Sequence, residues 1–425
     1  MGASTNQSGE AWIGVVPERW SVEPLGRWFR ERKTTVSDAD FAPLSVTMQG
    51  IVPQLENVAK TDNNANRKLV LKGDFAINSR SDRKGSAGVS GLDGSVSVIT
   101  TVLQPRGLDP RFTHHLLRSR PFQEEFYRWG HGIVDDLWST KWSDMKSIKI
   151  PVPPEPEQRV IADYLDRETA QIDAFIAKNE ELITLLTERR AAAIARSVSR
   201  GVRDGVTLGQ SGTEWATDVP SHWRVGNIRR FASMKTGHTP SRQHPEYWVD
   251  CDIPWFTLAD VWQLRQGRRD MGETSEKISA LGLANSAAEL LPAGTVALSR
   301  TASVGFAGIM PVAMATSQDF WNWVPGGELV SEYLWFQFQA MKPEFERLMT
   351  GSTHRTIYQA DAASFTIIVP PISEQREIVE QLDNVTRRID EAIATAQSGV
   401  ALARERRAAL ISAAVTGKID VGVAV

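Results

Sequence analysis

The stretch "PPEPEQRVIADYLDRETAQID" (residues 153–173) returns later in the chain as "PPISEQREIVEQLDNVTRRID" (residues 370–390). Each copy opens with two adjacent prolines and then carries a Glu-Gln-Arg triplet, and after Pro156 and Pro371 no proline follows as far as residues 200 and 417. Proline breaks helix interiors but is tolerated in the first turn. The pattern therefore predicts two long helices, each roughly 65 Å long at about 1.5 Å per residue.

Both predicted helices carry apolar residues at the heptad spacing that is typical of coiled coils. In the first helix one row is Leu165, Ile172, Asn179, Leu186 and Ala193, and a second row is Glu168, Phe175, Leu182 and Arg189. In the second helix the row is Leu382, Val385, Ile389, Ala392, Ala396, Ala403 and Leu410. A lone helix with such a stripe is unstable in water, so we expect the two helices to pair. Asn179 either fixes the register of this pair or faces water at its edge.

The rest of the chain is duplicated as well. "WIGVVPERW" (12–20) corresponds to "WATDVPSHW" (215–223), and "SRSDRKGSAG" (79–88) corresponds to "SRTASVGFAG" (299–308). The repeat unit is roughly 210 residues, which is the size of whole domains and not of solenoid repeats. The part before each helix is rich in Gly, Pro, Trp and short apolar runs, which predicts a globule of short strands, turns and some helix.

We therefore expect an α+β protein with two globular domains, two long helices that form an antiparallel coiled coil, and a pseudo-twofold internal repeat. The predicted segments are a first globular domain at 1–152, a first helix at 153–200, a linker at 201–214, a second globular domain at 215–369 and a second helix at 370–417.

Composition places the chain among globular proteins without membrane spans. Its 425 residues carry a net charge of −3 and a single cysteine, Cys251. No apolar run approaches the roughly 20 residues of a membrane span, and the N-terminus lacks the pattern of a secretory signal. One cysteine excludes an intrachain disulfide and fits a reducing cytoplasm. The charge excludes a polybasic body, so any nucleic-acid contact must come from local clusters.

The sequence shows none of the common catalytic motifs. It lacks a phosphate-binding loop, a dinucleotide-binding glycine motif, a His-Glu-x-x-His zinc motif and a Gly-x-Ser-x-Gly nucleophile motif. His114, His115, His131 and His354 do not have metal-ligand spacing, and we expect core or surface histidines. A metal pair at Asp135 and Asp136 is disfavoured, because neighbours on a strand point to opposite faces. These features favour a binding protein over an enzyme.

The duplicated loops carry residue types that contact DNA. Glycine lets the backbone approach a ligand closely, hydroxyls bind phosphates, and arginine can also read guanine edges. The predicted DNA contacts are Ser79, Arg80, Ser81, Arg83 and Lys84 in the first half, and Lys235, Thr239, Ser241, Arg242, Ser299, Arg300, Thr301, Ser303, Thr353, His354, Arg355 and Tyr358 in the second. The alternative is that these are ordinary turns, in which Arg80 and Arg300 pair with internal carboxylates.

Over nearly its full length the chain resembles the specificity subunits of type I restriction–modification enzymes. The resemblance rests on both Glu-Gln-Arg helix openings, on both Trp-containing openings of the halves, and on "GDFAINSRSDRKG" (73–85), "TPSRQHPEYW" (239–248), "LSRTASVGFAGIM" (298–310), "ATSQDF" (315–320) and "GSTHRTIY" (351–358). One departure is that residues 206–369 contain more acidic than basic side chains.

The resemblance implies that each globule is a target recognition domain and that each helix is a spacer. The chain would be non-catalytic, would bind double-stranded DNA and no cofactor, and would recruit two methyltransferase (modification) and two restriction (translocase–nuclease) subunits. Those subunits would use AdoMet, ATP and Mg²⁺. The expected coiled-coil and partner-binding residues are Gln158, Arg159, Leu165, Ile172, Leu186, Gln375, Arg376, Leu382 and Ile389.

Two alternatives remain. One is a scaffold protein that joins partner subunits through its coiled coil and binds no DNA. The other is a fused single-chain enzyme, which is disfavoured because the methyltransferase sequence Asn-Pro-Pro-[Phe/Tyr] is absent.

Overall fold

The computed structural model describes residues 4–54, 66–80, 83–132, 138–349 and 356–421 of the chain. Contacts between Cα atoms divide the chain into a first unit (Met1–Glu180 with Gln397–Val425) and a second unit (Glu181–Ala396). Each unit contains one globule and a part of each long helix, because the unit boundaries fall inside both helices. None of the helices described is both long enough and apolar enough to cross a lipid bilayer.

The first unit is a mixture of short strands and helices. Its strands are β1 (Thr5–Gln7), β2 (Val15–Pro17), β3 (Ser21–Pro24), β4 (Phe29–Glu31), β5 (Thr35–Val36), β6 (Leu44–Thr47), β7 (Gly50–Pro53), β8 (Arg67–Val70), β9 (Phe75–Asn78), β10 (Ala87–Val89), β11 (Gly94–Val96), β12 (Thr100–Pro105) and β13 (Lys149–Val152). Its helices are α1 (Leu25–Trp28), α2 (Pro110–Arg118), α3 (Arg120–Arg128), α4 (Trp142–Met145) and the first part of α5 (Glu155–Arg200).

The second unit has a similar composition of elements. Its strands are β14 (Leu208–Gln210), β15 (Asp218–Pro220), β16 (Arg224–Asn227), β17 (Ala232–Thr236), β18 (Ile253–Phe256), β19 (Glu276–Ile278), β20 (Val296–Ser299), β21 (Ala307–Ile309), β22 (Ala315–Thr316), β23 (Phe320–Pro325) and β24 (Thr366–Val369). Its helices are α6 (Trp262–Arg265), α7 (Ala280–Ala284), α8 (Ser331–Ala340), α9 (Lys342–Leu348), α10 (Gln359–Ser364) and the first part of α11 (Ile372–Val415), with 3₁₀ turns at Ile228–Arg230 and Pro245–Trp248.

A four-stranded antiparallel sheet lies in each globule. The strand order is β10-β9-β12-β4 in the first unit and β21-β20-β23-β17 in the second. A two-stranded pair joins the start of each globule to its end, β3 with β13 and β16 with β24. The duplication predicted from the sequence is therefore confirmed in the order of the strands, and the α+β class is confirmed with it.

The inner strands of these sheets are apolar because both of their faces are covered. All residues of β9 and β20 are buried, and a continuous apolar run is typical of such strands. Phe112 of α2 and Tyr333 of α8 are fully buried in the two cores. Burying a side chain of the size of Phe112 stabilises the fold by about 1.5–3 kcal/mol.

In the first unit the two helix segments run antiparallel. Asp173 of α5 pairs with Arg407 of α11 at 2.8 Å, and Glu180 pairs with Arg404 at 2.7 Å. The residue numbers of the paired side chains increase along α5 and decrease along α11, as they do in antiparallel helices. Leu165 is fully buried in the same core as the last turns of α11. The C-terminal end of the second helix is thus part of the core of the first globule.

The second unit has the same arrangement with the roles of the helices exchanged. Arg190 of α5 pairs with Asp390 of α11 at 2.9 Å, and Arg203 pairs with Glu377 at 2.7 Å. Val198, near the end of α5, is fully buried in the core that also contains Leu382. The predicted seam residues Ile172, Leu382 and Ile389 are buried, and Leu186 is half-buried.

The second heptad row of α5 is buried one residue later in the sequence than predicted. Phe175 and Leu182 are 49% and 44% exposed, whereas Thr169 is buried and Ile176 is half-buried. Positions three and four residues beyond a seam residue both neighbour it on a helix, so spacing alone does not choose between the two rows. Asn179 donates a hydrogen bond of 2.9 Å to the carbonyl oxygen of Phe175, so its amide serves its own helix.

The glutamine of each Glu-Gln-Arg triplet is buried. It is therefore not exposed for binding a partner protein, contrary to what the family resemblance implied. Gln158 accepts a hydrogen bond from the Asp109 N–H at the start of α2 and donates to the carbonyl of Pro153, both at 2.9 Å. Gln375 accepts from the Val330 N–H at the start of α8 and donates to two carbonyls, those of Glu328 and Pro370, all at 2.8 Å. Each glutamine therefore fixes a long helix to the globule in front of it.

The other two members of each triplet differ in exposure. Glu157 forms a bidentate pair with Arg19 at 2.7 and 2.8 Å, and its side chain is almost fully buried. Arg159 and Arg376 are exposed, so partner binding stays a prediction for these two arginines.

In the first unit His115 is buried and His114 is half-buried. Burial, with a contribution from the charge of Arg118, lowers the pKa of His114 to about 3. His115 Nε2 lies 2.8 Å from Asp166 Oδ1. No cluster of potential metal ligands occurs among the residues that the structure describes. Asp135, Asp136 and His354 lie outside them.

We predict that Gln375→Leu will lower the free energy of unfolding of the protein by about 2 kcal/mol or more. The change leaves the Val330 N–H and two carbonyls without partners in a buried site. Urea unfolding followed by tryptophan fluorescence measures the effect. Arg376→Leu changes the exposed neighbour and should stay within about 0.5 kcal/mol of the wild type. Equal losses in both variants would contradict the assignment.

We also predict that His114 makes the protein sensitive to acid. The pKa of His114 in the folded state is below the unfolded value of about 6.5, so the unfolded state binds an extra proton as the pH falls below that value. Between pH 7 and pH 5 the wild type should lose about 2 kcal/mol more than His114→Gln. Unfolding curves at the two pH values test this. His131→Gln, which changes an exposed ring, should behave as the wild type, and an equal pH effect in His114→Gln would refute the prediction.

Candidate nucleic-acid interface

Several loops of the second unit meet at one end of its four-stranded sheet. Ser299, the last residue of β20, pairs with Phe320, and Thr236, the last residue of β17, pairs with Trp321. The loops that follow β20 and β17 therefore open at the same edge as the loop that precedes β23. We call this edge, with residues 237–242, 299–303, 316–319 and 356–358, the second loop edge.

Backbone hydrogen bonds hold Arg300 at the centre of the second loop edge. Its N–H donates to the carbonyl of Asp319 at 2.9 Å, and its carbonyl accepts from the N–H of Ile357 at 3.0 Å. The guanidinium carbon lies 4.4 Å from the ring centroid of Trp321, a cation–π contact. Arg300 forms no ion pair with any described residue, and its Nε is buried without a hydrogen bond there. The alternative of an internal carboxylate partner is therefore not supported for Arg300.

Asp319 fixes the loop around Arg300 and was missed by the sequence analysis. Its carboxylate accepts hydrogen bonds from Thr301 Oγ1 at 2.6 Å and Ser317 Oγ at 2.9 Å. Between Thr301 and Ser303, Ala302 has a φ of +52°, a conformation that residues other than glycine rarely adopt. The signal in the sequence is "ATSQDF" (315–320), which carries part of the family resemblance and contains Asp319.

Two predicted contacts in this loop are buried and do not reach the surface, contrary to expectation. Ser299 is fully buried, and its hydroxyl donates to the carbonyl of Thr301 at 3.2 Å. Ser303 is 5% exposed, and its Oγ accepts from Arg265 Nε at 3.1 Å. Both hydroxyls therefore shape the loop. Arg265, which is itself exposed, is a second cation that the sequence analysis missed.

The loop after β17 is joined to the same edge. The N–H of His238 donates to the carbonyl of Thr316 at 3.0 Å, and Thr239 Oγ1 donates to Gln318 Oε1 at 2.7 Å. Thr239 thus uses its hydroxyl proton inside the protein. Sequence spacing alone did not reveal that this loop and the loop before β23 are neighbours.

Lys235 and Arg242 are engaged by carboxylates, which weakens both as DNA contacts. Lys235 Nζ lies 2.7 Å from Glu289 Oε2, and Arg242 pairs with Glu276. The guanidinium carbon of Arg242 also lies 3.6 Å from the ring centroid of Trp248. Two of the acidic residues of the second half, Glu276 and Glu289, therefore neutralise these cations.

The remaining predicted contacts of the second half fall into two groups. Ser241 is exposed, and Tyr358 is 57% exposed at the start of α10. Thr353, His354 and Arg355 lie outside the described residues, as does Ser81 of the first half. All of these remain predictions.

The first unit has an equivalent edge at the end of β9. The N–H of Arg80 donates to Asn78 Oδ1 at 3.0 Å, and the side chain of Arg80 is exposed. Ser79 Oγ donates to the carbonyl of Ile99 at 2.7 Å, so this hydroxyl has an internal acceptor. We call residues 78–80, 83–85 and 97–100 the first loop edge.

The first loop edge is more basic than the second. Arg83 and Lys84 are exposed, and Lys84 Nζ lies 5.0 Å from the ring centroid of Tyr127. Within the described ranges, neither Arg80 nor Arg83 forms an ion pair. Three cations therefore stand close together in sequence without a carboxylate that neutralises them in the described part of this edge.

Comparisons with known proteins agree on one family. The chain is 29% identical over 171 residues to the type I restriction enzyme MjaIX specificity subunit of Methanocaldococcus jannaschii, covering 39% of this chain and 38% of that protein. It is 27% identical over 255 residues to the EcoR124I/EcoR124II specificity subunit of Escherichia coli, covering 58% and 57%. The chain thus matches less than two thirds of the length of these two relatives. A putative MjaX specificity subunit of Methanocaldococcus jannaschii is 21% identical over 436 residues, 96% of each chain.

Solved structures show the same fold. A chain from a structural study of complex assembly and conformational transition in the type I R-M system has a TM-score of 0.72 at 18% identity, covering 95% of this chain and 99% of that one. The HsdS subunit from Thermoanaerobacter tengcongensis has a TM-score of 0.52 at 18% identity, covering 95% and 98%. The family model described as "Type I restriction modification DNA specificity domain" matches residues 139–184 and 220–396, more than half of the chain. The chain therefore belongs to the family of type I restriction modification DNA specificity domains.

Proposed function

We propose that this chain is the DNA-reading subunit of a type I restriction–modification complex, in which each globule reads one half of a split target. The observation that carries the proposal is the pair of equivalent loop edges. In each globule the corresponding inner strand of the four-stranded sheet leads into a Ser-Arg pair, residues 79–80 and 299–300, and in each the arginine lacks an ion-pair partner among the described residues. Membership of a DNA specificity family supports DNA as the ligand.

The two edges differ in chemistry, which supports an asymmetric target. Arg300 is packed on Trp321 and enclosed by a loop that Asp319 ties together. Arg80 is exposed beside Arg83 in the more basic edge. Different presentations of the same donor group select different base patterns, because a bidentate arginine must lie in the plane of its guanine.

The proposal leaves catalysis to other subunits. Relatives named specificity subunits support a non-catalytic role for this chain. We assign adenine methylation to two methyltransferase subunits that use AdoMet, and we assign ATP- and Mg²⁺-dependent translocation and cleavage to two restriction subunits. Extrusion of the target base would then belong to the methyltransferase. Because the ligand is genomic DNA, we place the complex in the cytoplasm.

The direct test is co-expression of the chain with its methyltransferase partner, followed by sequencing that detects methylated adenine. The proposal expects one motif made of two defined parts around a gap of undefined bases. If no such motif appears although the two proteins copurify, the chain is a scaffold that assembles partner subunits without reading DNA.

We predict that Arg80→Ala and Arg300→Ala each relax one half of that motif and leave the other half intact. Loss of one bidentate base contact costs about 1–3 kcal/mol, so methylation at the wild-type site should fall by roughly five- to 150-fold. Arg30→Ala and Arg229→Ala, which change exposed arginines outside the loop edges, serve as controls and should methylate as the wild type does. If both loop variants altered the same half, or if neither altered the motif, the assignment of one half to each edge would be wrong.

A further inference from the structure

The first unit contains a small cleft beside its loop edge, lined by both polar and apolar side chains. Strand β6 and Gln54 form one wall, and the end of β9 with the start of β12 forms another. The volume of the cleft is about 260 Å³, which is below the roughly 300–1,000 Å³ of pockets for drug-sized ligands. Arg67, from the start of β8, and Arg83, from the loop edge, both line it.

Arg67 is a buried cation without a counter-charge. It is 7% exposed, and its Nε and Nη2 donate to Oγ and O of Ser95 at 2.8 and 3.0 Å. Both acceptors are neutral, and Nη1 makes no hydrogen bond within the described residues. A buried ion without an opposite charge costs several kcal/mol. The same globule shows the ordinary solution at Arg32, which forms a bidentate pair with the carboxylate of Asp74 at 2.7 and 3.0 Å.

Besides Leu44, Val46 and Ile99, the walls of the cleft carry hydrogen-bond donors. The hydroxyls of Ser97 and Thr100 make no hydrogen bond in the described part of the chain, and neither does the amide nitrogen of Asn78. No aspartate or glutamate among the described residues lines the cleft. Two guanidinium groups, two hydroxyls and an amide form a surface that suits an anion with several acceptor oxygens.

The shape of the cleft favours a phosphate over a base edge as its ligand. Base edges of a duplex lie at the floor of a groove and are read by elements that protrude into it. A concave cleft instead receives a group that projects from the DNA, and a backbone phosphate projects. A neutral extruded base would not balance the charge of Arg67.

We infer that this cleft clamps one backbone phosphate of the DNA, with Arg67 and Arg83 as its ligands. The inference rests on the proposed DNA-reading function and extends it, because it separates a contact that positions the duplex from the contacts of Arg80 and Arg300 that specify sequence. The second unit has a carboxylate network around Asp319 at the equivalent strand end, so the clamp is a property of the first globule.

The test measures the affinity of the full-length chain for two fluorescent duplexes over a series of KCl concentrations. One duplex carries the motif found by methylated-adenine sequencing, and the other is an unrelated sequence of the same length. Arg67→Gln and Arg83→Gln should each reduce the slope of log affinity against log salt by about 0.9, the contribution of one phosphate contact. Both should weaken the two duplexes by the same factor, so the ratio between them stays unchanged. Arg30→Gln, which removes an exposed cation elsewhere in the globule, should keep the wild-type slope.

A neutral methylphosphonate placed at single linkages identifies the phosphate. At one linkage it should weaken the wild type at least as much as Arg83→Gln does, and it should weaken Arg83→Gln by a smaller factor, because only Arg67 still contacts that phosphate. Arg83 is exposed and makes no side-chain hydrogen bond with described residues, so this variant keeps the test valid if Arg67→Gln unfolds.

The outcomes separate the clamp from the wider proposal. Unchanged slopes in both variants, with specific binding intact, overturn the clamp alone. A loss confined to the motif duplex assigns the arginines to base reading and also overturns it. Absence of any preference for the motif in the wild type overturns the DNA-reading function itself.

Discussion

A long amphipathic helix cannot bury its own apolar stripe, and the rest of this structure depends on how the two long helices meet that constraint. Each helix begins at one globule and ends in the core of the other unit's globule. Val198 near the end of α5 and Val415 at the end of α11 are both fully buried. Neither globule core is therefore complete without the far end of a helix that starts elsewhere in the sequence, which makes the helices part of the domains that they connect.

The duplicated sequence could reveal this framework because its signals are local. Proline position, heptad spacing and short apolar runs act within a few turns, and they correctly gave the long helices and the repeated strands. What sequence could not give is which neighbour a side chain meets. Phe175 and Ile176 are both apolar, and only the position of α11 decides that Ile176 is the more buried of the two, with the Phe175 ring beside Gly399. Gln158 resembles a surface residue until the N–H of Asp109 is known to need an acceptor.

The candidate site was predicted at the level of loops and less well at the level of atoms. Ser299 and Ser303 carry hydroxyl groups, a common type of phosphate contact. Both are nevertheless buried, because the loop folds onto its own polar groups. Lys235 and Arg242 are basic in the sequence, but Glu289 lies beside the first and Glu276 beside the second. Charge counted along a chain does not show which cations are already neutralised. Only a three-dimensional contact map shows that Arg300 has kept its charge unpaired among the described residues.

The two halves have kept the same strands and changed the chemistry at their ends. Ile99 stands before β12 where Asp319 stands before β23, so the carboxylate that organises the second edge has no equivalent at that position of the first. The first edge instead has Arg67 in a concave cleft. A guanidinium held against Trp321 loses little further freedom when it meets a base, which favours direction and selectivity. A guanidinium in a cleft, as we infer for Arg67, would bind a phosphate whatever the neighbouring bases. If both proposals hold, divergence after duplication separated two uses of the arginine side chain on one framework.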